Sequence, residues 1–307
     1  MKYIIGIDIG GTTIKFGLFD ESLELIDKFA KDTPNNRDEI FRVIEEEVHK
    51  IISDNDLSIT DVMGIGVGIP GPVKDNFIIK CPNLDLSQVS MKDELEKRFA
   101  CSVFAANDAS LALLGELTKM EYENAVMLTL GTGVGGAVII NGDIIEGSLG
   151  FAGEIGHLQI DHKYNLKCGC GQIGCLETVA SATGIVNLLK EHKVDYPHSK
   201  LTSISTSYEI MNAAMSGEKL AKVVVDEYSK YIARAIREIA VVVNPDVFLI
   251  GGGVSNAGSY LLKHIQEAYR KLPGFNELKE AKIRLAELRN DAGIYGAAMF
   301  VKKRTMS

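Results

Sequence analysis

One pattern occurs twice in this chain: an apolar strand, a glycine turn, then a second apolar strand. The first copy is YIIGIDI-GGTT-IKFGLF (3–19) and the second is AVMLTL-GTGVGG-AVII (125–140). β-Branched runs interrupted by glycine fold back on themselves as hairpins. The distance between the copies rules out a short-period solenoid. It predicts two related α/β domains, each opening with the same hairpin. The first is expected over 1–115 and a larger second over 116–291, with a final helix at 292–303 packing back on the first. No Pro/Ser-rich tether separates them. A chain of 307 residues, 46% hydrophobic, can bury such cores without help from disulfides.

The elements between the hairpins read as strand and helix in turn. LELIDKFA (23–30) is a third strand, and helix follows over 36–53, where Ile40, Val43, Ile44, Val48, Ile51 and Ile52 recur at helical spacing. MGIGVGIP (63–70) is a buried strand, 91–99 a helix, 102–106 a strand, and 107–117 a helix capped by Asn107. Residues 176–244 are mostly helical. DVFLIGGGVSNAG (246–258) runs strand, glycines, helix, and a late strand is expected at 282–287.

The glycine turns carry chemistry as well as shape. DIGGTTIK (8–15) places Gly10, Gly11, Thr12, Thr13 and Lys15 beside Asp8. Glycines let backbone N–H groups converge on an anion, threonines add hydroxyl donors, and an acid at the strand end could hold hydrated magnesium. A plain β-turn explains the glycines equally well. GTGVGG (131–136) has the spacing G-x-G-x-x-G, but a strand follows where a dinucleotide site needs a helix. A phosphate-gripping hairpin through Gly131, Thr132 and Gly133 fits better. Gly252 and Gly253 lie in the third glycine turn, suited to close packing against a flat adenosine. Three such segments suggest a nucleotide clamped in an interdomain cleft.

AANDASLALLGE (105–116) sets Asn107 and Asp108 between a strand and a helix start. An acid there usually just caps the helix. As a functional group it would take a proton from a substrate hydroxyl, and Asp108 is the candidate base for phosphoryl transfer. Glu154, His157 and Glu177 sit among glycines and apolar residues, a poor place for idle charge. They suit a polyol, because carboxylates accept from hydroxyls and imidazole does either job.

CGCGQIGC (168–175) holds three of the five cysteines. A redox centre would use Cys-x-x-Cys near a helix start, and no such pair exists. Cys168, Cys170 and Cys175 with His157 supply three sulfurs and one nitrogen, the set of a closed structural zinc site. The glycines at 169, 171 and 174 let the chain curl around an ion. Cys81 and Cys101 have no partner spacing and read as small buried residues.

Net charge is −8, which argues against a general nucleic-acid binder. No secretory signal and no apolar run of membrane length is visible. A cytoplasmic protein is expected, where a reducing medium disfavours disulfides.

Together, GIDIGGTTIKFGLFD, LTLGTGVGGAVI and LIGGGVSNAG resemble the phosphate and adenosine segments of the sugar kinase/actin-like ATPase superfamily. GEIGH followed by CGCGQIGCLE resembles the signature of the ROK family (repressors, open reading frames and kinases). The resemblance implies an α/β, two-domain ribonuclease H-like sugar kinase fold with an interdomain cleft. It implies ATP, magnesium and structural zinc as cofactors, with zinc on His157, Cys168, Cys170 and Cys175. Asp108 would be the catalytic base. Sugar would be held by Gly71, Asn83, Asn107, Asp108, Glu154, His157 and Glu177, and a homodimer is expected.

GIPGPV (68–73) and CPNLDL (81–86) look like glucokinase wording, although the usual Asn-Leu-Gly-Trp is NLDL here. Glucose is the first expectation, N-acetylmannosamine the second, with fructose or allose behind. A transcription repressor of the same family would carry a helix-turn-helix ahead of the first strand, and that strand begins at Tyr3. A silent sugar-binding regulator would have no use for the acid and the phosphate turns.

Overall fold

A computed structural model describes residues 2–81 and 84–306. Two compact units make up the chain. Unit 1 comprises 1–121, 144–152 and 288–307, and unit 2 comprises 122–143 and 153–287.

In unit 1 the chain runs β1 (Tyr3–Ile9), β2 (Thr13–Asp20), β3 (Leu25–Asp32), α1 (Arg37–Asp54) and β4 (Val62–Ile69). Three two-residue strands follow, β5 (Val73–Lys74), β6 (Phe77–Ile78) and β7 (Val89–Ser90), then α2 (Met91–Glu96), β8 (Ser102–Asn107) and α3 (Asp108–Leu117). The main sheet has the order β3-β2-β1-β4-β8, with β1–β2 and β2–β3 antiparallel and β4 parallel to both β1 and β8.

Unit 2 opens with β9 (Ala125–Leu130), β10 (Val134–Ile140) and β11 (Asp143–Ile144). Helices α4 (Glu177–Ala180), α5 (Ala182–His192), α6 (Ser207–Met215) and α7 (Lys219–Val243) come next, then β12 (Val247–Gly251), α8 (Ser259–Arg270) and β13 (Lys282–Leu285). The chain ends in α9 (Ala292–Met306), which belongs to unit 1. The second sheet has the order β11-β10-β9-β12-β13. Its β9–β10 hairpin is antiparallel, and β12 is parallel to β9 and β13. The twofold use of one strand order is the structural counterpart of the repeated hairpin.

Alternation in β1 sends its side chains to two cores. Ile5, Ile7 and Ile9 join Ile40, Phe41, Ile44 and Val48 of α1 in one cluster. Ile4, with Phe19, meets Ile294, Ala298 and Val301 of α9 on the other side. Asp8 therefore emerges on the α9 face. Glycine is what lets α9 lie so close. A Cβ on Gly66 would fall 2.1 Å from the carbonyl oxygen of Ala297, and one on Gly296 would fall 1.7 Å from that of Leu111. Both obstacles are backbone and cannot swing aside. Gly66→Ala should cost roughly 1–3 kcal/mol, the range for overpacking, read as a lowered midpoint in urea. An unchanged midpoint would mean that α9 shifts freely.

Unit 2 is built on the long helix α7, which buries Leu220, Val224, Tyr228, Ile232 and Ile236 against α5, α6, α8 and the sheet. It stops where Asn244 turns left-handed, at φ 45°.

Candidate active site and metal centre

The catalytic candidates of unit 1 stand at the carboxyl ends of parallel strands, where helices begin. Asp8 is nearly the last residue of β1. Its carboxylate lies against Gly293 at the start of α9, and a Cβ there would fall 2.6 Å from Cγ of Asp8. Lys15 Nζ donates to Asp8 Oδ2 at 3.3 Å and to the carbonyl of Asn290 at 2.8 Å. Burial raises the Asp8 carboxyl above its ordinary value, and Lys15 partly offsets this. The β1–β2 turn closes through Gly10 N–H donating to the carbonyl of Thr13 at 2.9 Å. Gly11 and Thr12 are exposed, and among the described residues their N–H groups have no protein partner.

Asp108 is the first residue of α3 and Asn107 is its cap. The Asn107 Oδ1 accepts from the N–H of Ser110 at 3.1 Å. Its Nδ2 donates to Asp108 Oδ1 at 3.0 Å and to the carbonyl of Gly71 at 3.1 Å. Asp108 Oδ1 also accepts from the N–H of Ala109 at 2.8 Å. One carboxylate oxygen is thus tied down, while among the described residues Oδ2 has no partner. Burial pushes this carboxyl up to about 6. The Ala109 N–H works against the rise, and the Asp8 charge adds to it. Gly71 has φ 122°, and a Cβ there would fall 2.3 Å from the carbonyl of Lys80. Asn83 lies outside the described residues.

In unit 2 the turn of the β9–β10 hairpin is pinned from two sides. Gly131 N–H donates to the carbonyl of Gly133 at 3.0 Å, and Ala182 N–H, at the start of α5, donates to the carbonyl of Gly131 at 2.7 Å. Beside it opens a cavity of about 410 Å³, lined by Gly131, Thr132, Tyr208, Met211, Gly253 and Asn256 among others. Gly252 has φ 82°, and a Cβ there would meet the backbone of Leu130 at 2.6 Å. An apolar wall with few polar groups suits a flat ring. No sequence pattern marks the wall that α6 supplies. An amphipathic helix announces an apolar face without saying that a cavity borders it.

The metal loop is a small hairpin. Isolated bridges Gln159–Cys175 and Lys167–Ile173 fold residues 158–176 back on themselves, and Leu176 N–H donates to the carbonyl of Leu158 at 2.7 Å. That return brings His157 beside the cysteines. The donor atoms of His157, Cys168, Cys170 and Cys175 all lie within 4.8 Å of one another. Cys170 Sγ and Cys175 Sγ are 3.7 Å apart, and Cys168 Sγ is 3.6 Å from His157 Nδ1. Two sulfurs bound tetrahedrally at about 2.3 Å would stand about 3.8 Å apart, so the residues fit zinc. Cys168 and Cys175 are buried, and burial raises both thiols. Cys170 is exposed and lowered, chiefly by the N–H of Gln172. Cys81 and Cys101 stay apart from this group.

The remaining candidates of unit 2 surround that loop. His157 Nε2 faces Glu154 Oε2 at 3.8 Å, which leaves Nδ1 for the sulfur side. Glu177 opens α4, and its Oε1 accepts from Cys168 Sγ at 2.9 Å. Its other oxygen lies over the turn of the β9–β10 hairpin, 2.7 Å from where a Gly133 Cβ would stand. One carboxylate therefore touches both the metal loop and the glycine hairpin.

Repeated α/β units, glycine hairpins at strand ends and an acid at a helix start define the actin-like ATPase class of fold. The ROK family profile matches residues 4–304, and the chain belongs to the ROK family. It is 36% identical to a glucokinase of Halalkalibacterium halodurans, over 100% of this chain and 97% of that protein. It is 34% identical to a glucokinase of Thermotoga maritima, over 98% of each. A ROK family glucokinase from Streptomyces griseus, solved with glucose and AMPPNP, superposes with a TM-score of 0.77 at 29% identity, covering 98% of this chain and 99% of that one.

Proposed function

We infer that this ATP-dependent sugar kinase transfers the γ-phosphoryl group of ATP to the 6-hydroxyl of glucose, with Asp108 as general base. The observation that carries the reading is the state of Asp108. It has one oxygen fixed by Asn107 and Ala109, the other free, and a carboxyl held at about 6. A base near neutrality is matched to deprotonating an alcohol as it attacks. Asp108 Oδ2 takes the hydroxyl proton as the sugar oxygen forms its bond to the γ-phosphorus. The bond from that phosphorus to the β-bridging oxygen breaks, and ADP leaves with the electron pair. Phosphoryl transfer asks little more of a protein than alignment and charge neutralisation.

The free N–H groups of Gly11 and Thr12, with Thr13 and Lys15, are assigned to phosphate, as are Gly131, Thr132 and Gly133. Gly252 and Gly253 are assigned to adenosine. Magnesium, which offsets phosphate charge when bound, would be held at Asp8. Glucose is assigned to Gly71, Asn83, Asn107, Glu154, His157 and Glu177. Zinc would be held by His157, Cys168, Cys170 and Cys175, and supplies structural rigidity rather than chemistry. A metal-bound Cys168 has no proton to donate, so Glu177 Oε1 would turn from sulfur to a sugar hydroxyl.

Glucose ranks first because the curated relatives matched at 36% and 34% identity are glucokinases. We take the protein to act as a homodimer in the cytosol. Five unpaired thiols suit a reducing medium, and no helix among the described residues is long and apolar enough to cross a membrane. Phosphorus–proton correlation NMR of the product from glucose should link the phosphate to the protons on carbon 6. Linkage to carbon 1 would overturn the assignment of the acceptor hydroxyl.

A further inference from the structure

A second cavity of about 410 Å³ lies in unit 2, away from every residue assigned above. It is bordered by Arg270 at the end of α8, by Lys282 and Arg284 on the edge strand β13, and by Tyr122, Gln266 and Glu280. Strand pairing fixes its place. Val247, the first residue of β12, pairs with Ala125 and with Lys282. Gly251, the last, pairs with Thr129, next to the Gly131–Gly133 turn. The cavity therefore starts at the amino ends of the strands, about 13 Å of strand from the phosphate hairpin. It shares no lining residue with the cavity beside that hairpin.

Its charge is out of keeping with the chain. Net charge is −8, and elsewhere Lys28, Lys31, Arg42 and Lys163 each find a carboxylate. Arg270, Lys282 and Arg284 are exposed, and among the described residues none of them has an acidic partner. Lys282 instead rests over the ring of Tyr122, 5.0 Å from its centroid. That occupies one face of Tyr122, which with buried Tyr269 supplies the rings among the described lining residues, and makes it a poor platform for a base. Arginine forks match phosphate oxygens in pairs. Gln266 spends its Nε2 on the carbonyl of Ile283 at 3.0 Å, which leaves Oε1, and with it the Glu280 carboxylate, to accept from hydroxyls.

We propose that this cavity is a binding site for a small phosphomonoester bearing hydroxyl groups, of the sugar-phosphate class. Its volume suits a molecule of that size, with phosphate on Arg270, Lys282 and Arg284 and hydroxyls toward Glu280 and Gln266. The site stands apart from the catalytic groups, so a ligand there would act as an effector rather than as substrate. This inference does not depend on which sugar is phosphorylated.

Isothermal titration with glucose 6-phosphate, and with inorganic phosphate for comparison, on protein already saturated with glucose and a magnesium-bound, non-hydrolysable ATP analogue, tests it. Wild-type protein should bind glucose 6-phosphate more tightly than phosphate, and both more weakly as salt rises. The Arg270→Ala/Arg284→Ala variant should lose about tenfold or more in affinity for both. Its affinity for magnesium-ATP should not change. Arg284→Glu, which reverses one exposed charge, should abolish binding of both at the same melting temperature. Undiminished binding of glucose 6-phosphate in either variant would place it outside this cavity and overturn the proposal. So would the absence of any binding by wild type.

Discussion

Asp108→Asn lowers kcat by about a thousandfold and leaves the affinity for glucose nearly unchanged. The substitution keeps an oxygen where Oδ1 accepts from Ala109 and Asn107, so the start of α3 stays as it is. What it removes is the proton acceptor at Oδ2. The same group sets the acid limb of the rate profile. With the carboxyl at about 6, kcat/KM should rise with pH through that value and level off above it. The stability sign runs the other way. The folded value lies above the ordinary 3.8, so the fold favours the protonated form. That contribution is complete below the ordinary value and is lost as pH rises through about 6. At pH near 8 the buried charge is a burden, and Asp108→Asn should melt at or above the wild-type temperature. A dead variant that also melts early would show a damaged helix start rather than a missing base.

Cys175→Ser should remove the metal, lower the melting temperature by roughly 5 °C or more and raise the KM for sugar about tenfold. Cys175 is fully buried and anchors the return strand of the loop. Loss of the ion frees the His157 ring, whose Nδ1 faces the sulfurs. It also returns the Cys168 proton to Glu177. Elemental analysis should find one zinc per wild-type chain and none in the variant. A zinc-free variant with wild-type KM would reduce the loop to a fold staple.

Hairpins were the legible part of the fold, because glycine and alternation are local signals. β1 and β2 pair residue for residue across the GGT turn. The strand expected at 137–140 forms, but it begins inside GTGVGG, at Val134, where Val134, Gly135 and Gly136 already pair with β9. The third strand starts at Leu25 rather than 23. Asp20 Oδ1 accepts from the N–H groups of Ser22 and Glu24, and Leu23 is held at φ 67°. A side-chain-capped turn overrode the apolar pattern. The strands of the small β5–β6–β7 sheet, two residues each, are too short to show alternation, though Asp75 and Asn76, both at positive φ, are the residues such a tight turn prefers. The metal ligands could be named from residue type, but the hairpin that folds His157 back to them depends on pairing that no local pattern shows. The α6 wall of the first cavity had no signal, since Tyr208 is exposed at the mouth and reads as a surface residue.

Every role assigned above serves one reaction, phosphorylation of glucose by ATP. Its most direct test offers the purified protein magnesium-ATP with glucose or N-acetylmannosamine and follows ADP release. The expected result is release with both sugars absent only at background, and a kcat/KM for glucose about tenfold or more above that for N-acetylmannosamine. Preference for N-acetylmannosamine, or no ADP release with any hexose, would contradict it.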